Sequence, residues 1–423
     1  MSGIARTVAI DPPAYARQSI ASVPPLFWRG APRLAGVMVA IAVARLPELV
    51  PLIGKLRPGF IGTAVVALVL LMRSNAATWR LLWQPTTTRV LVAFVAWATL
   101  LIPFALWPGL AFQTVRNLVP LLAMYVAIVT CRPTWSNLDR IQRGCVIALT
   151  AFTIVSLVQG QQIAGRLRPL GETYDPNDMA AVMAVATMLA LGSAARAGPV
   201  RRVVMYGAAL VLVGGILATA SRGGTLALAV GGVVLTAAQP GIRRIVYGVA
   251  LMVGAIVAWQ AGGSVFRERV RTMTALDEDY NLHDRMGRIE VWKRSMEHFA
   301  DRPLIGVGAG NFEVAEGKWL AARGERGKWS AAHNAYIQAL TDLGIVGGLL
   351  FLWLIGGTAL RAARLWNSRL ARAAPTSYRP ELLAALCSFC VAAIYLSLAY
   401  SGVLLCLIAF ITFADNVRQA ENA

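Results

Sequence analysis

Residues 201–238 read RRVVMYGAALVLVGGILATASRGGTLALAVGGVVLTAA. Two basic residues, Arg201 and Arg202, lead into an apolar run over 203–220. The break Ser221-Arg222-Gly223-Gly224 follows, and a second apolar run covers 223–238 before the turn Gln239-Pro240-Gly241. A bilayer core about 30 Å thick is crossed by roughly 20 apolar residues in a helix, sometimes by about 17. Inside it only a helix or a closed barrel satisfies its own backbone. The stretch therefore predicts two membrane helices joined by a tight turn that carries a guanidinium at the bilayer edge.

Working outward, the same pattern recurs at 34–54, 58–72, 89–107, 111–131, 141–159, 178–195, 245–262, 334–359, 381–399 and 401–417, giving twelve spans with the two above. The chain is 57% hydrophobic and 14% charged, which excludes a soluble protein, and its helical runs exclude a barrel of alternating strands. The N-terminus lacks a basic region running into an apolar core and a small-residue cleavage site, so no removable signal peptide is expected. The five cysteines, Cys131, Cys145, Cys387, Cys390 and Cys406, lie in or beside apolar runs and read as small hydrophobes.

Forty Lys and Arg against 21 Asp and Glu give a charge of +19, a balance that ordinarily suggests nucleic acid. Sorting by loop gives another answer. With an even number of spans and the N-terminus inside, 21 basic residues fall at inner loops and termini, among them Arg73, Arg80, Arg132, Arg140, Arg143, Arg196, Arg243, Arg244, Arg361, Arg369, Arg372 and Arg379. Only five, Lys55, Arg57, Arg166, Arg168 and Arg222, lie in short outer loops, and the excess is an orientation signal. The organisation expected is an inner N-terminal segment 1–33, nine helices over 34–262, one large outer loop 263–332, three helices over 333–418 and an inner tail 419–423. The fold class is an all-α polytopic bundle.

The large loop holds 12 basic and 11 acidic residues, and long loops of mixed charge are commonly functional. Within it Met286, Ile289, Trp292, Met296 and Phe299 recur at helical spacing, predicting an amphipathic helix over 285–300 capped by Asp284. Four outer features carry chemistry. Arg222 is either a snorkelling arginine at a turn or an anion site. Arg168-Pro-Leu-Gly171 through Pro176-Asn177-Asp178 either caps the next helix or joins the site. Arg288 and Trp292, four apart, share a helix face, as an exposed charge beside a core aromatic or as a phosphate-and-sugar contact. His333-Asn334 opens the tenth span; in a first helical turn the dipole disfavours imidazolium, leaving a neutral ring able to take a proton.

His283 and His298 read as surface residues. Asp277-Glu278-Asp279 resembles metal-binding acidic clusters but reads as a solvated stretch. Gly306-Val-Gly308-Ala-Gly310 has no preceding strand, fails the dinucleotide fingerprint and reads as a turn. Arg45, Glu48, Arg116 and Asp342 lie within spans, where charge is costly, and a buried pair of Asp342 with Arg45 or Arg116 is expected.

Taken in order, Arg168-x-x-Gly171 to Pro176-Asn177, Ser221-Arg222-Gly223, Arg288-x-x-x-Trp292, Arg302-Pro-Leu-Ile-Gly306-Val-Gly308 and His333-Asn334 with Leu340 and Gly344-x-x-Gly347 resemble the O-antigen ligase family, the WaaL and Wzy-type enzymes of bacterial inner membranes. The resemblance covers about 165–350. It implies transfer of a glycan from undecaprenyl diphosphate to a sugar hydroxyl on the periplasmic face, the acceptor in a ligase being the lipid A core, in lipopolysaccharide biosynthesis. It implies that Arg222 and Arg288 hold the diphosphate, that His333 is the base, and that Arg168, Asn177, Trp292 and Asn334 contact substrate. Fixed arginines stabilise the departing diphosphate without metal or other cofactor, and direct attack inverts the anomeric centre. Partners implied are the lipid-linked donor, the lipid A-core acceptor and membrane lipids, with no nucleic acid and both termini cytoplasmic. The alternatives are a polymerase, whose acceptor is another lipid-linked repeat, and, more remotely, a lipid-linked glycan flippase or transporter.

Overall fold

A computed structural model describes residues 31–171, 174–272, 287–325, 329–366 and 377–421. The acidic cluster 277–279, His283, Asp284, Arg369 and Arg372 lie outside these residues.

The chain is all but entirely helical. In order come α1 (Ala31–Ala42), α2 (Leu46–Leu49), α3 (Pro51–Lys55), α4 (Pro58–Arg73), α5 (Ala76–Trp83), α6 (Thr86–Leu100), α7 (Pro108–Val129) and α8 (Trp135–Gln159). A hairpin of β1 (Gln161–Ile163) and β2 (Arg166–Arg168) precedes α9 (Pro176–Arg196), α10 (Pro199–Thr219), α11 (Arg222–Ala237), α12 (Ile242–Ala261) and α13 (Gly263–Arg271). Then follow α14 (Arg288–Asp301), α15 (Phe312–Ala322), α16 (Ala335–Leu365), α17 (Pro380–Tyr395) and α18 (Gly402–Glu421). Seven of these, α7, α8, α9, α10, α12, α16 and α18, are long and apolar enough to cross a membrane. Five shorter apolar helices, α1, α4, α6, α11 and α17, occupy the places of the other expected spans.

Two helices are buried on nearly every side. α9 packs among α8, α10, α11 and α17, and α18 among α7, α8, α16 and α17. Small residues make the close approach possible, as in membrane bundles generally. Gly224 of α11 lies against Ala180 of α9, where an added methyl would strike the Ala180 side chain. By contrast α12 buries no residue, and its main packing partners are α11 and α13.

Three boundaries differ from expectation. The span read as 34–54 is broken, because Arg45 adopts a left-handed φ of 51° and Pro47 and Pro51 restart the chain as the short helices α2 and α3. The amphipathic helix begins at Arg288, and its N-cap is Gly287, without a side-chain cap. The spans read as 381–399 and 401–417 leave a longer gap, since α17 stops at Tyr395 and α18 starts at Gly402.

The glycine turn at 306–310 does more than reverse the chain. Helix α16 is interrupted at Gly344, whose φ is 67° and ψ −170°. The turn fills that break. Val307 N donates to Thr341 O at 3.0 Å, Gly308 N to Asp342 O at 2.8 Å, and Ile345 N to Pro303 O at 2.8 Å. Backbone groups that the helix leaves unpaired are thus paired by the loop. The fully buried Asp342 accepts from Gly310 N at 2.9 Å and from the Tyr400 hydroxyl at 3.1 Å. The expected ion pair is therefore replaced by neutral donors: Arg45 stacks 5.5 Å from the Tyr174 ring centre, and Arg116 is exposed on α7.

Candidate functional site

The turn between α10 and α11 is built by Ala220, at a left-handed φ of 47°, and by Ser221, whose hydroxyl caps α11 by accepting from Gly224 N at 3.2 Å. Arg222 is then the first residue of α11, and its Nη1 donates to Thr272 Oγ1 at 3.0 Å. Ser221 Oγ also lies 3.1 Å from Asn177 Oδ1, which accepts from Arg166 Nη2 at 2.8 Å. Arg166 Nε reaches Thr219 O at 2.9 Å. Asn177 is a hub that ties the start of α9 to the Arg222 turn.

Arg168 is not part of this hub. The hairpin pairs Gln161 with Arg168 and Ile163 with Arg166, and Arg168 stays exposed. The guanidinium that reaches the turn is that of Arg166, held below the usual arginine range by burial and by the neighbouring charge of Arg222, against the pull of Asp175. Sequence spacing alone did not separate two arginines of one strand.

From the large loop, Arg288 opens α14 and places its guanidinium 5.7 Å from the centre of the Tyr395 ring. Tyr395 in turn lies beside Gly223, where a Cβ would sit 3.6 Å from the Tyr395 Cβ. One ring thus stands between the start of α11 and the start of α14. One turn along α14, Trp292 Nε1 donates to Ala332 O at 3.0 Å, fixing the chain just before His333.

His333 lies one residue outside the helix it was expected to open. Asn334 is the N-cap, its Oδ1 accepting from Tyr336 N at 2.9 Å and Ile337 N at 3.0 Å, and α16 begins at Ala335. A short side-chain acyl group outcompetes imidazole for that capping position. His333 itself takes a left-handed φ of 47° and its N–H donates to Ser397 Oγ at 3.0 Å. A left-handed non-glycine residue is uncommon and marks a constrained backbone.

Gly223 next to Arg222, the Arg288 guanidinium and the His333 backbone N–H therefore all neighbour the 395–397 segment at the end of α17. Asn177 and Trp292 hold two of the three in place, and Asn334 sets where α16 starts. The stretch Tyr395-Leu-Ser397-Leu-Ala-Tyr400-Ser401 was missed in the sequence, although two tyrosines and two serines in an apolar run are a signal of a helix break.

Two cavities open beside this segment. One of 140 Å³ is lined by Ser397, Ser401, Asp178 and Arg45, and one of 470 Å³ by Arg45, Glu48, Thr114, Asn117 and Tyr400. Arg45 and Gly402 border both. The broken α1 thus sets a cation in the wall between two polar hollows.

The loop scaffold is stiffened by one buried network. Glu316 of α15 accepts from Arg294 Nε and Nη2 at 3.1 and 2.9 Å and lies 3.2 Å from His298 Nε2. His298, expected at the surface, is buried here. Burial alone would raise the Glu316 carboxyl, but its hydrogen bonds to His298 and Arg294 outweigh burial and hold it below its ordinary value.

The architecture and site define a polytopic helical membrane protein whose arginines and histidine gather where a large loop meets the bundle. Residues 207–352, about a third of the chain, match the family model described as O-antigen ligase. The matched segment contains Arg222, Arg288, Trp292, His333, Asn334 and the glycine turn, and excludes Asn177 and the 395–401 segment. No curated protein matches the chain. The matched segment is similar to a family of glycosyltransferase-type enzymes.

Proposed function

We propose that the protein is an inner-membrane O-antigen ligase, which moves a glycan from undecaprenyl diphosphate to a sugar hydroxyl of the lipid A core. The observation that carries this reading is that the turn bearing Arg222, through Gly223, the Arg288 guanidinium and the backbone of His333 all meet Tyr395 and Ser397. In the reaction the acceptor oxygen bonds to the anomeric carbon as the bond from that carbon to the diphosphate oxygen breaks. The hydroxyl proton passes to the His333 ring, and the electron pair leaves with the diphosphate, inverting the anomeric centre. Arg222 and Arg288 meet the charge that grows on the leaving oxygens, so they favour the transition state over the bound donor. General-base assistance by His333 contributes on the order of 10² to 10⁴ in rate. Arg168, Asn177, Trp292 and Asn334 were assigned to substrate; the bonds above favour positioning roles for Asn177, Trp292 and Asn334, and Arg166 replaces Arg168 beside Arg222.

In the proposed topology both termini are cytoplasmic, 263–332 is periplasmic, and the reaction occurs on that side. The test uses purified protein with lipid-linked glycan and lipid A-core. Conjugate is expected, and Arg222→Ala, Arg288→Ala and His333→Ala each abolish it while inserting normally. A product consisting only of longer lipid-linked chains makes the protein a polymerase. Near-full transfer by His333→Ala removes the base assignment.

A further inference from the structure

At the end of the bundle opposite His333, the starts of α8, α10, α12 and α17 and the ends of α9 and α11 surround a cavity of 660 Å³. Five arginines line it, Arg143, Arg196, Arg201, Arg243 and Arg379, with two carboxylates, Asp139 and Glu381. Two of the arginines are committed. Arg196 bridges Glu381 at 2.7 Å and Asp139 at 3.4 Å, and Arg379 meets Asp139 at 2.5 Å. Five cations less two anions leave a charge of +3, carried by Arg143, Arg201 and Arg243. These three form no ion pair within 4 Å and no hydrogen bond in the described structure.

The flanks of this cavity are apolar. On α10, Val200, Val203 and Val204 are 78%, 72% and 52% exposed, and on α12, Ile242, Ile245 and Val246 are 71%, 63% and 58% exposed. Both helices start at the cavity and run away from it, so a charged hollow continues directly into greasy grooves. A free anion would use only the first of these features. An amphiphile with a phosphate head uses both.

We propose that this cavity is a binding site for an anionic phospholipid, whose phosphate lies among Arg143, Arg201 and Arg243 and whose acyl chains lie along α10 and α12. The ligand also fills the flank on which α12 packs against little but α11.

The experiment is native mass spectrometry of the full-length protein released from detergent with phosphatidylglycerol, phosphatidylcholine or inorganic phosphate. Phosphatidylglycerol is expected to remain bound, phosphatidylcholine to be lost, and excess inorganic phosphate to displace little. The triple variant Arg143→Gln, Arg201→Gln, Arg243→Gln should bind more weakly, by about fivefold per arginine and on the order of a hundredfold together. A matched variant, Arg140→Gln, Arg202→Gln, Arg244→Gln, removes the same number of charges from the same three connections, none of them from a residue that lines the cavity. It should bind as the parent does. Equal weakening in both variants, equal retention of phosphatidylcholine, or full displacement by inorganic phosphate would each overturn the proposal, the last by making this a site for the free ion.

Discussion

Replacing Glu316 by alanine removes a buried carboxylate that pairs with Arg294 at 2.9 Å. Both partners are buried, Glu316 completely and Arg294 to 5% exposure, and water cannot take over the lost bonds. Deleting one member of a buried pair costs about 3–5 kcal/mol, because the remaining charge is left uncompensated. Glu316 holds the guanidinium with two of its nitrogens and also His298, so the lower figure is a floor for this site. Since about 1.4 kcal/mol is a factor of ten, opening of α14 away from α15 becomes roughly a hundredfold more frequent. Amide hydrogen exchange over 288–301 reads this directly, as an acceleration of that size confined to the loop helices, with the spanning helices unchanged. Transfer activity should fall in parallel, because Arg288 is the first residue of the loosened helix. The double variant Arg294→Met, Glu316→Met replaces the pair by packed apolar side chains and should recover most of the protection. Exchange in Glu316→Ala within threefold of the parent would refute the reasoning, as would a double variant no better protected than the single one.

Three further outcomes are expected. Lowering pH acts on the same carboxylate: its folded value is depressed, so its contribution is complete above the ordinary 4.5 and is lost as pH falls through the folded value, which exchange of α14 against pH will show as a plateau at neutral pH and a decline in acid. Ser221→Ala loses both the α11 cap and the bond to Asn177 and should lower thermal stability in detergent by about 1 kcal/mol, with a larger proportional loss of transfer because Arg222 follows the cap. Gly344→Ala should sharply reduce folded yield, since a Cβ there strikes the Leu304 carbonyl at a left-handed φ of 67°, whereas Gly254→Ala, which faces open space, should express as the parent does.

The bundle was legible wherever a run of apolar residues alone determined the element. All twelve expected spans have a helix in their place, including the short α11 between Arg222 and Ala237. Breaks were less legible, because the residues that cause them act in company. The first span was read straight through Pro47 and Pro51, and the left-handed turn at Arg45 has no local signature. At the site, residue type and order singled out Arg222, Arg288 and His333. Arg166 and Arg168, two apart in β2, share one strand face, so position along the hairpin and not the face decides which reaches the Arg222 turn, and Arg166 sits next to the hairpin turn at Ala164 and Gly165. The burial of His298 depends on Glu316, eighteen residues on, which nothing in the local pattern of α14 discloses.

The turn at 306–310 seated in the break of α16 has a consequence for assembly. The turn precedes α16 in the chain, but the carbonyls of Thr341 and Asp342 acquire their partners only when it docks. Until then a helix entering the bilayer would carry bare backbone groups and an aspartate without its Gly310 donor, at a cost of several kcal/mol for each unmet group. The second half of α16 should therefore settle late, after the preceding loop has folded back onto it. Docking of the loop and completion of this helix are thus coupled: neither satisfies its backbone without the other.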